Sequence, residues 1–198
     1  MKNFDHILLY DSSDEKNHVR ISTYEKWRDK KKKIKIADFI YERHYSRYIK
    51  PFEYDDEIYK KDYKNGFAIM ANCCLLIETI ESFRRGWAQS RNELNFLKFF
   101  TREKEFKEFA TDDIPTQFYK HIRCGILHQG ETTGGWSINR NSSYLLDKSK
   151  REINAVLFSE RLKKALEGYR DELKVNEWET QIWKNAREKM KSILKNCK

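Results

Sequence analysis

The chain has few of the residues that interrupt helices. Its 198 residues include two prolines, Pro51 and Pro115, and seven glycines. It also lacks an internal repeat, a phosphate-binding glycine loop and a dinucleotide-binding fingerprint. These absences favour a helical protein and argue against the nucleotide enzymes that depend on such loops.

Cysteines and long hydrophobic runs are also scarce. Four cysteines, two of them adjacent at Cys73 and Cys74, do not form a disulfide framework, which fits a reducing compartment. No secretory segment opens the chain. The longest apolar run, residues 67–80, is too short for a bilayer and contains Asn72 and Glu78. We therefore expect a cytoplasmic protein that does not enter a membrane.

Positive charge is what the chain has in excess. It carries 40 Lys+Arg against 31 Asp+Glu, a formal net charge of +9. Such a balance favours an anionic partner, and RNA is the partner we predict. The lysine run 30–33 is interpreted as a solvated approach to a helix, with a phosphate contact as the alternative.

Apolar residues recur every three to four positions, which predicts helices. With 39% hydrophobic residues, the chain can build one buried core, so we predict a single domain, 1–198. The fold class predicted is all-α, a helical bundle. Two short alternating runs, 136–140 and 144–146, could pair as a small β-hairpin near 136–147. Helices are predicted over residues 34–48, 65–87, 92–109, about 116–129, 154–173 and 176–195.

Two sets of aromatic residues are assigned to packing. The aromatics of the third predicted helix are assigned to the core rather than to a base-stacking platform. The apolar stripe of the last helix, which includes Trp178 and Trp183, is assigned to packing or to a partner interface. In a protein-binding bundle without RNA chemistry, that last helix would be the interface.

The stretch FYKHIRCGILH, residues 118–128, carries the chemistry. Arg123 is followed by His128 with four residues between them, and a glycine-rich turn, residues 130–135, comes next. An imidazole moves protons near neutral pH, and a guanidinium holds phosphate through paired hydrogen bonds. With 14 arginines and five histidines, roughly one such spacing is expected by chance. The helical context therefore has to support the assignment.

That context resembles the HEPN superfamily. A long apolar helix containing IETIESF, a charged aromatic helix and then FYKHIRCGILHQGE are similar to HEPN nucleases, which carry an Arg-x(4–6)-His motif late in a helical bundle. The resemblance covers residues 62–173, with an N-terminal helical extension 1–61 and a C-terminal helix 174–198. HEPN motifs commonly have a polar residue, often Asn, directly after the arginine. Here that position is Cys124, and a thiol is a weaker hydrogen-bond partner.

The resemblance implies a metal-independent endoribonuclease that works as a homodimer, often in a toxin or antiphage defence setting with an antitoxin or other regulatory protein. Arg123 and His128 would be catalytic. Tyr119, Cys124 and Gln129, together with Trp136, would contact substrate. No cofactor is predicted. The alternative is a non-catalytic helical RNA-binding or scaffold module.

Several of these residues also have ordinary structural interpretations. Tyr119 could stack on a base or orient the guanidinium, or it could be a half-buried tyrosine. For Trp136 we favour packing over base stacking, and for Glu78 and Glu81 we favour solvent over an ion pair with Arg123. A stripe of His121, Cys124 and His128 is a weak zinc signal, because three ligands from one helix have no partner motif. No metal site is predicted.

Ideal helix geometry raises a difficulty for the catalytic pair. Residues five apart lie about 140° around the helix axis, so Arg123 and His128 would not share a face. We therefore expect the helix to end or loosen near His128, or the site to combine side chains from two protomers. Gly125 and Gly130 make the first arrangement possible.

Overall fold

The computed structural model describes residues 5–11, 15–54, 64–89 and 93–197. The chain divides into two compact units. The first unit comprises Met1–Ser46, Ser82–Gln89 and Leu166–Lys198, and the second comprises Arg47–Glu81 and Ser90–Ala165. The single-domain organisation stays a prediction.

Helices dominate both units, which confirms the predominantly α class. The predicted starts of the third helix, at residue 92, and of the HEPN-like region, at residue 62, lie outside the described residues. The α-helices are α1 (Ile21–Asp29), α2 (Lys33–Tyr48), α3 (Gly66–Arg85), α4 (Leu94–Arg102), α5 (Ile114–Gln117), α6 (Cys124–Gln129), α7 (Ala155–Val175) and α8 (Gln181–Asn196). Short 3-10 helices cover Glu15–Asn17, Lys50–Phe52 and Lys104–Phe109, and a π-helix covers Phe118–Arg123.

The first unit packs α1, α2 and α8 around an apolar core. Trp178 is 8% exposed and Trp183 is fully buried, and the Trp183 indole donates to Leu173 O at 2.9 Å. These two tryptophans therefore pack within the first unit, and the partner-interface alternative for the last helix stays a prediction. Ile34, at the start of the apolar stripe of α2, is exposed.

The lysine run lies at the joint between α1 and α2. Lys31 pairs with Glu179 at 2.9 Å, and Lys33 pairs with Glu177 at 3.2 Å. Lys33 Nζ also donates to Asn176 O at 3.0 Å. Two of the four lysines therefore bind the turn that precedes α8 instead of being only solvated.

The core of the second unit is aromatic, as predicted. Rings from α4, the following 3-10 helix, the π-helix and α7 contact one another, and the Phe118 and Phe158 rings stack with their centroids 5.4 Å apart. The phenylalanines of α4, the following 3-10 helix, the π-helix and the start of α7 are fully buried, namely Phe96, Phe99, Phe100, Phe106, Phe109, Phe118 and Phe158.

The third predicted helix is interrupted. Glu103 has an extended backbone (φ −82°, ψ 108°), and the chain continues in 3-10 geometry. A three-residue turn places Phe106 and Phe109 on the same side, and both enter the core. The apolar pattern continues through the break, which is why one long helix was predicted.

Two small sheets accompany the helices. Strands β1 (Ile7–Leu9) and β2 (Val19–Arg20) pair antiparallel. Strands β3 (Ser137–Asn139), β4 (Leu146–Asp147) and β5 (Glu152–Asn154) form a sheet in the order β3-β5-β4.

The predicted hairpin near 136–147 is wrong in its pairing, because β5 lies between the two predicted strands. β3 pairs with β5 in parallel, and β4 pairs with β5 antiparallel. Asp147 Oδ1 accepts from the Ser149 and Lys150 amides at 3.0 and 3.1 Å. This turn directs β5 back along β4, so the actual hairpin lies later in the chain than predicted.

Among the described residues, α3 is long and apolar enough to cross a membrane by length and composition. Of the residues in its apolar window, 61% are buried within the protein. A core helix meets the same criteria, and the cytoplasmic location stays a prediction.

Candidate functional site

The motif lies on a helix with a change of winding in its middle. Pro115 stands in the first turn of α5, where its missing N–H costs nothing. The π-helix then runs to Arg123, and the Cys124 amide donates to Tyr119 O, five residues back. Insertions of this kind are frequent at functional sites. The wider turn ends where the motif begins.

Arg123 and His128 meet within one chain. Arg123 Nη1 lies 3.2 Å from His128 Nε2. A guanidinium can only donate, so Nε2 is the accepting atom of this contact. His128 is the second-last residue of α6, and Gly130 then takes a left-handed conformation (φ 73°). The contact therefore forms where the helix ends, as expected, and does not need a second protomer.

Glu78 holds the other side of the guanidinium. Arg123 Nε donates to Glu78 Oε1 at 2.8 Å, and Glu78, on α3, is only 9% exposed. The expectation that Glu78 faces solvent is wrong. Burial disfavours the charged guanidinium, but the hydrogen bond that Arg123 donates to Glu78, together with the Glu78 charge, outweighs it and raises the pKa of Arg123. Arg123 is therefore a fixed cation with a set orientation.

Glu81, one turn further along α3, also differs from expectation. It is fully buried and pairs with Arg102 instead of facing solvent. Arg102 also pairs with Glu103, through its Nε at 2.9 Å. An unpaired carboxylate in this position would be costly, so the pair is needed to bury Glu81.

Tyr119 and Cys124 lie beside Arg123. The Arg123 guanidinium carbon is 5.7 Å from the centre of the Tyr119 ring, within range of a cation–π interaction, and the ring itself packs against Phe96. Burial, and then contact with the Cys124 thiol, raises the pKa of Tyr119. The position of Tyr119 fits the predicted orienting role, and Cys124 takes part in the same group.

Gln129 and Trp136 occupy different environments. Gln129 is exposed next to His128, where a bound substrate could reach it. Trp136 is 4% exposed, so its ring has no open face on which a base could stack. The substrate-binding assignment of Trp136 is therefore not supported, and packing accounts for this residue.

The glycine-rich turn folds back onto the π-helix at His121, through Thr133, a residue that sequence reasoning did not single out. His121 Nδ1 lies 2.8 Å from Thr133 Oγ1, and the Thr133 amide donates to His121 O at 3.0 Å. Gly134 (φ 61°) passes so close that a Cβ would lie 2.5 Å from His121 Nδ1. The run of glycines was the available signal for this close approach.

Gly125 has a related role in α6. A Cβ at this position would lie 2.5 Å from Glu131 O. The turn therefore contacts the helix backbone directly between Arg123 and His128. From the sequence, Gly125 was expected to let the helix loosen. In the structure, its missing side chain instead lets the glycine-rich turn pack against the helix.

No group of three or more His, Cys, Asp or Glu side chains in the described ranges could hold a metal ion. Two residues of the stripe that was considered as a zinc signal have other partners, because His121 contacts Thr133 and His128 contacts Arg123.

Compared with known proteins, the chain matches no protein-family model, no curated protein and no solved structure.

Proposed function

We propose that the protein is a metal-independent endoribonuclease of the HEPN type, with Arg123 and His128 as its catalytic residues. The observation that carries the proposal is the guanidinium–imidazole contact of 3.2 Å, held from behind by Glu78. An imidazole can transfer protons and a fixed cation can stabilise the charge that develops on the phosphate, so the pair can cleave an RNA phosphodiester without a metal.

The reaction would begin at the ribose 2′-hydroxyl. His128 Nε2 takes the proton of that hydroxyl while its oxygen forms a bond to the adjacent phosphorus. The bond from phosphorus to the 5′-oxygen then breaks, and the leaving oxygen takes a proton from a general acid, which in a homodimer would be the protonated His128 of the second copy. The products are a 2′,3′-cyclic phosphate and a free 5′-hydroxyl. General acid–base catalysis of this kind contributes about 100- to 10,000-fold.

Arg123 would bind the phosphate during this step. Glu78 uses its Nε–H and His128 one Nη1–H, and a guanidinium has five N–H donors. Further donors therefore remain to bind phosphate oxygens as negative charge builds up. When they do, Nε2 gives up its contact with Arg123 and becomes available to the 2′-hydroxyl.

Neighbouring positive charge supports RNA as the substrate. Burial, followed by the charges of Lys120 and Arg151, lowers the pKa of His121, so both cations lie near the motif helix. Lys120 is exposed. Such side chains would contact flanking phosphates, which carry most of the affinity for nucleic acids.

The homodimer and the toxin or defence setting, with its regulatory partner, belong to the same proposal. His128 is exposed at the end of α6. A second copy would bring a second Arg–His pair, so that one imidazole could act as base and the other as acid.

The test is cleavage of a panel of RNAs in EDTA. Wild-type protein should cleave, and His128→Ala should be at least about 100-fold slower. His6→Ala, which removes another exposed imidazole, is the control and should cleave normally. Equal rates for wild type and His128→Ala would overturn the proposal. RNA binding without cleavage by any of these proteins would instead support the non-catalytic module.

A further inference from the structure

The first unit contains an open cleft between α1 and α8, remote in sequence from the motif. Its volume is about 520 Å³, within the range of small-molecule sites. Its lining combines an apolar floor with a charged rim. The lining residues are Tyr24, Glu25 and Arg28 of α1 and Arg187, Glu188, Lys191, Leu194 and Lys195 of α8.

Positive charge dominates the rim. Four cationic side chains face two carboxylates, which leaves a net charge of +2. One of the carboxylates, Glu188, lies 3.9 Å from Lys191, and both side chains are mostly exposed, so this pair is weak. The cleft therefore favours an anion.

Arg187 is held in place by the protein. Its Nη1 donates to Trp178 O at 2.6 Å, and its guanidinium carbon is 4.5 Å from the centre of the Trp178 ring. Its Nη2 lies 3.9 Å from Glu179 Oε2, but the Glu179 side chain is 67% exposed, so this pair is weak and N–H groups of the guanidinium remain for a ligand. A cation fixed in this way loses little conformational entropy on binding a ligand.

Arg28 approaches from the opposite helix. It pairs with Asp29 at 2.9 Å, but the Asp29 side chain is 65% exposed. Exposed pairs contribute little, so a phosphate could replace Asp29 at low cost. Arg28 and Arg187 thus place two planar donor groups on the two walls of one cleft.

The Tyr24 hydroxyl lies on the floor between these arginines. Tyr24 is 1% exposed, and its side chain lines the cleft. Burial raises the pKa of Tyr24 to about 12, although the charges of Arg28 and Arg187 act to lower it. Both arginines are therefore close to the hydroxyl, which stays protonated and has a hydrogen bond to donate.

We propose that this cleft binds a small organic phosphate, such as a nucleoside diphosphate. The phosphate oxygens would accept from Arg28, Arg187 and the Tyr24 hydroxyl. The uncharged part of the ligand would lie over Leu194, with Lys191 and Lys195 at the rim. This site is separate from the proposed nuclease site and does not depend on it.

The test is calorimetric titration of the full chain with ADP in a phosphate-free buffer. We expect ADP to bind with one molecule per chain at this cleft, and adenosine to bind at least about tenfold more weakly, since the charged hydrogen bonds are lost. Arg28→Gln should weaken ADP binding by at least about tenfold, and Tyr24→Phe by a smaller factor.

Two controls locate the binding. Lys26→Gln, on the exposed side of α1, should bind ADP as wild type does, and so should Arg123→Gln. The proposal is overturned if ADP does not bind, if adenosine binds as tightly as ADP, or if Arg28→Gln and Tyr24→Phe leave the affinity unchanged. Loss of ADP binding in Arg123→Gln with retention in Arg28→Gln would also overturn it, because the ligand would then occupy the motif.

Discussion

Glu78 accepts a hydrogen bond from Arg123 at 2.8 Å across 45 residues of sequence. The carboxylate belongs to the apolar helix α3, and the guanidinium belongs to the end of the π-helix. Because its Nε is bound to Glu78, the guanidinium turns its Nη1 towards His128. The orientation of the proposed catalytic arginine thus depends on a residue of the core helix.

Replacing Glu78 by Gln should lower both stability and RNA cleavage. The substitution removes a charged acceptor from a mostly buried guanidinium, so we expect a loss of about 1–3 kcal/mol in the free energy of unfolding. Urea unfolding measures the first effect, and RNA cleavage measures the second. Glu160→Gln, an exposed carboxylate on α7, is the matched control. Unchanged cleavage in a folded Glu78→Gln protein would show that the orientation of Arg123 does not matter.

Cys124→Asn should cleave RNA at least as fast as wild type. Asn is the residue that HEPN motifs commonly carry there, and its amide is a stronger hydrogen-bond partner than a thiol. Cys124 lies beside Arg123 and Tyr119, so an amide would have both as neighbours. Initial cleavage rates at saturating RNA provide the measurement. A rate well below that of Cys124→Ala would contradict this view of the motif.

Alanine at two helical glycines should have opposite effects. Gly125→Ala would place a Cβ 2.5 Å from Glu131 O, and overpacking of this kind costs about 1–3 kcal/mol. A Cβ at Gly168, inside α7, meets nothing within 4 Å, so Gly168→Ala should stabilise by about 0.5–1 kcal/mol. Thermal and urea unfolding of the two variants measure the difference. Equal effects would mean that the turn does not contact the helix at Gly125.

His121 should make the protein less stable in mild acid. Burial, with the charges of Lys120 and Arg151, lowers its pKa from the usual 6.5. The unfolded chain then binds more protons than the folded chain below about pH 6.5, so stability falls as the pH falls through that value. Urea unfolding at about pH 7.5 and about pH 5.5 should show a larger loss for wild type than for His121→Gln. Equal losses would exclude His121 as a contributor.

Reversing the charges of Lys31 and Lys33 should lower the stability of the fold and leave RNA binding and cleavage unchanged. Each pairs with an exposed carboxylate, and such pairs contribute about 1 kcal/mol or less. RNA affinity and cleavage should stay near those of wild type, as measured by filter binding and by cleavage assay. A strong loss of RNA binding, with Arg123→Ala remaining normal, would favour the non-catalytic RNA-binding module.

Regular periodicity predicted the helices well. Predicted residues 34–48 correspond to Lys33–Tyr48, and predicted residues 65–87 correspond to Gly66–Arg85. Burial of the aromatics of the third predicted helix, from Phe96 to Phe109, was also predicted. These features depend on local pattern, which is present in the sequence.

Other features depend on partners that are distant in sequence. Nothing near Glu78 indicates that its charge meets Arg123, so a buried carboxylate was predicted to face solvent. The π-helix has no compositional signal, and β5 was missed because two or three residues are too few to show alternation. The Arg123–His128 spacing was visible, but its geometry depended on a change of winding that precedes it.

The contact between Gly134 and His121 has a consequence for how this chain can vary in evolution. A methyl group at position 134 would overlap the imidazole, and the backbone there has a positive φ. Relatives that keep a histidine at position 121 should therefore keep glycine at 134. A paired change at these two positions would mark a lineage in which the turn has moved away from the helix.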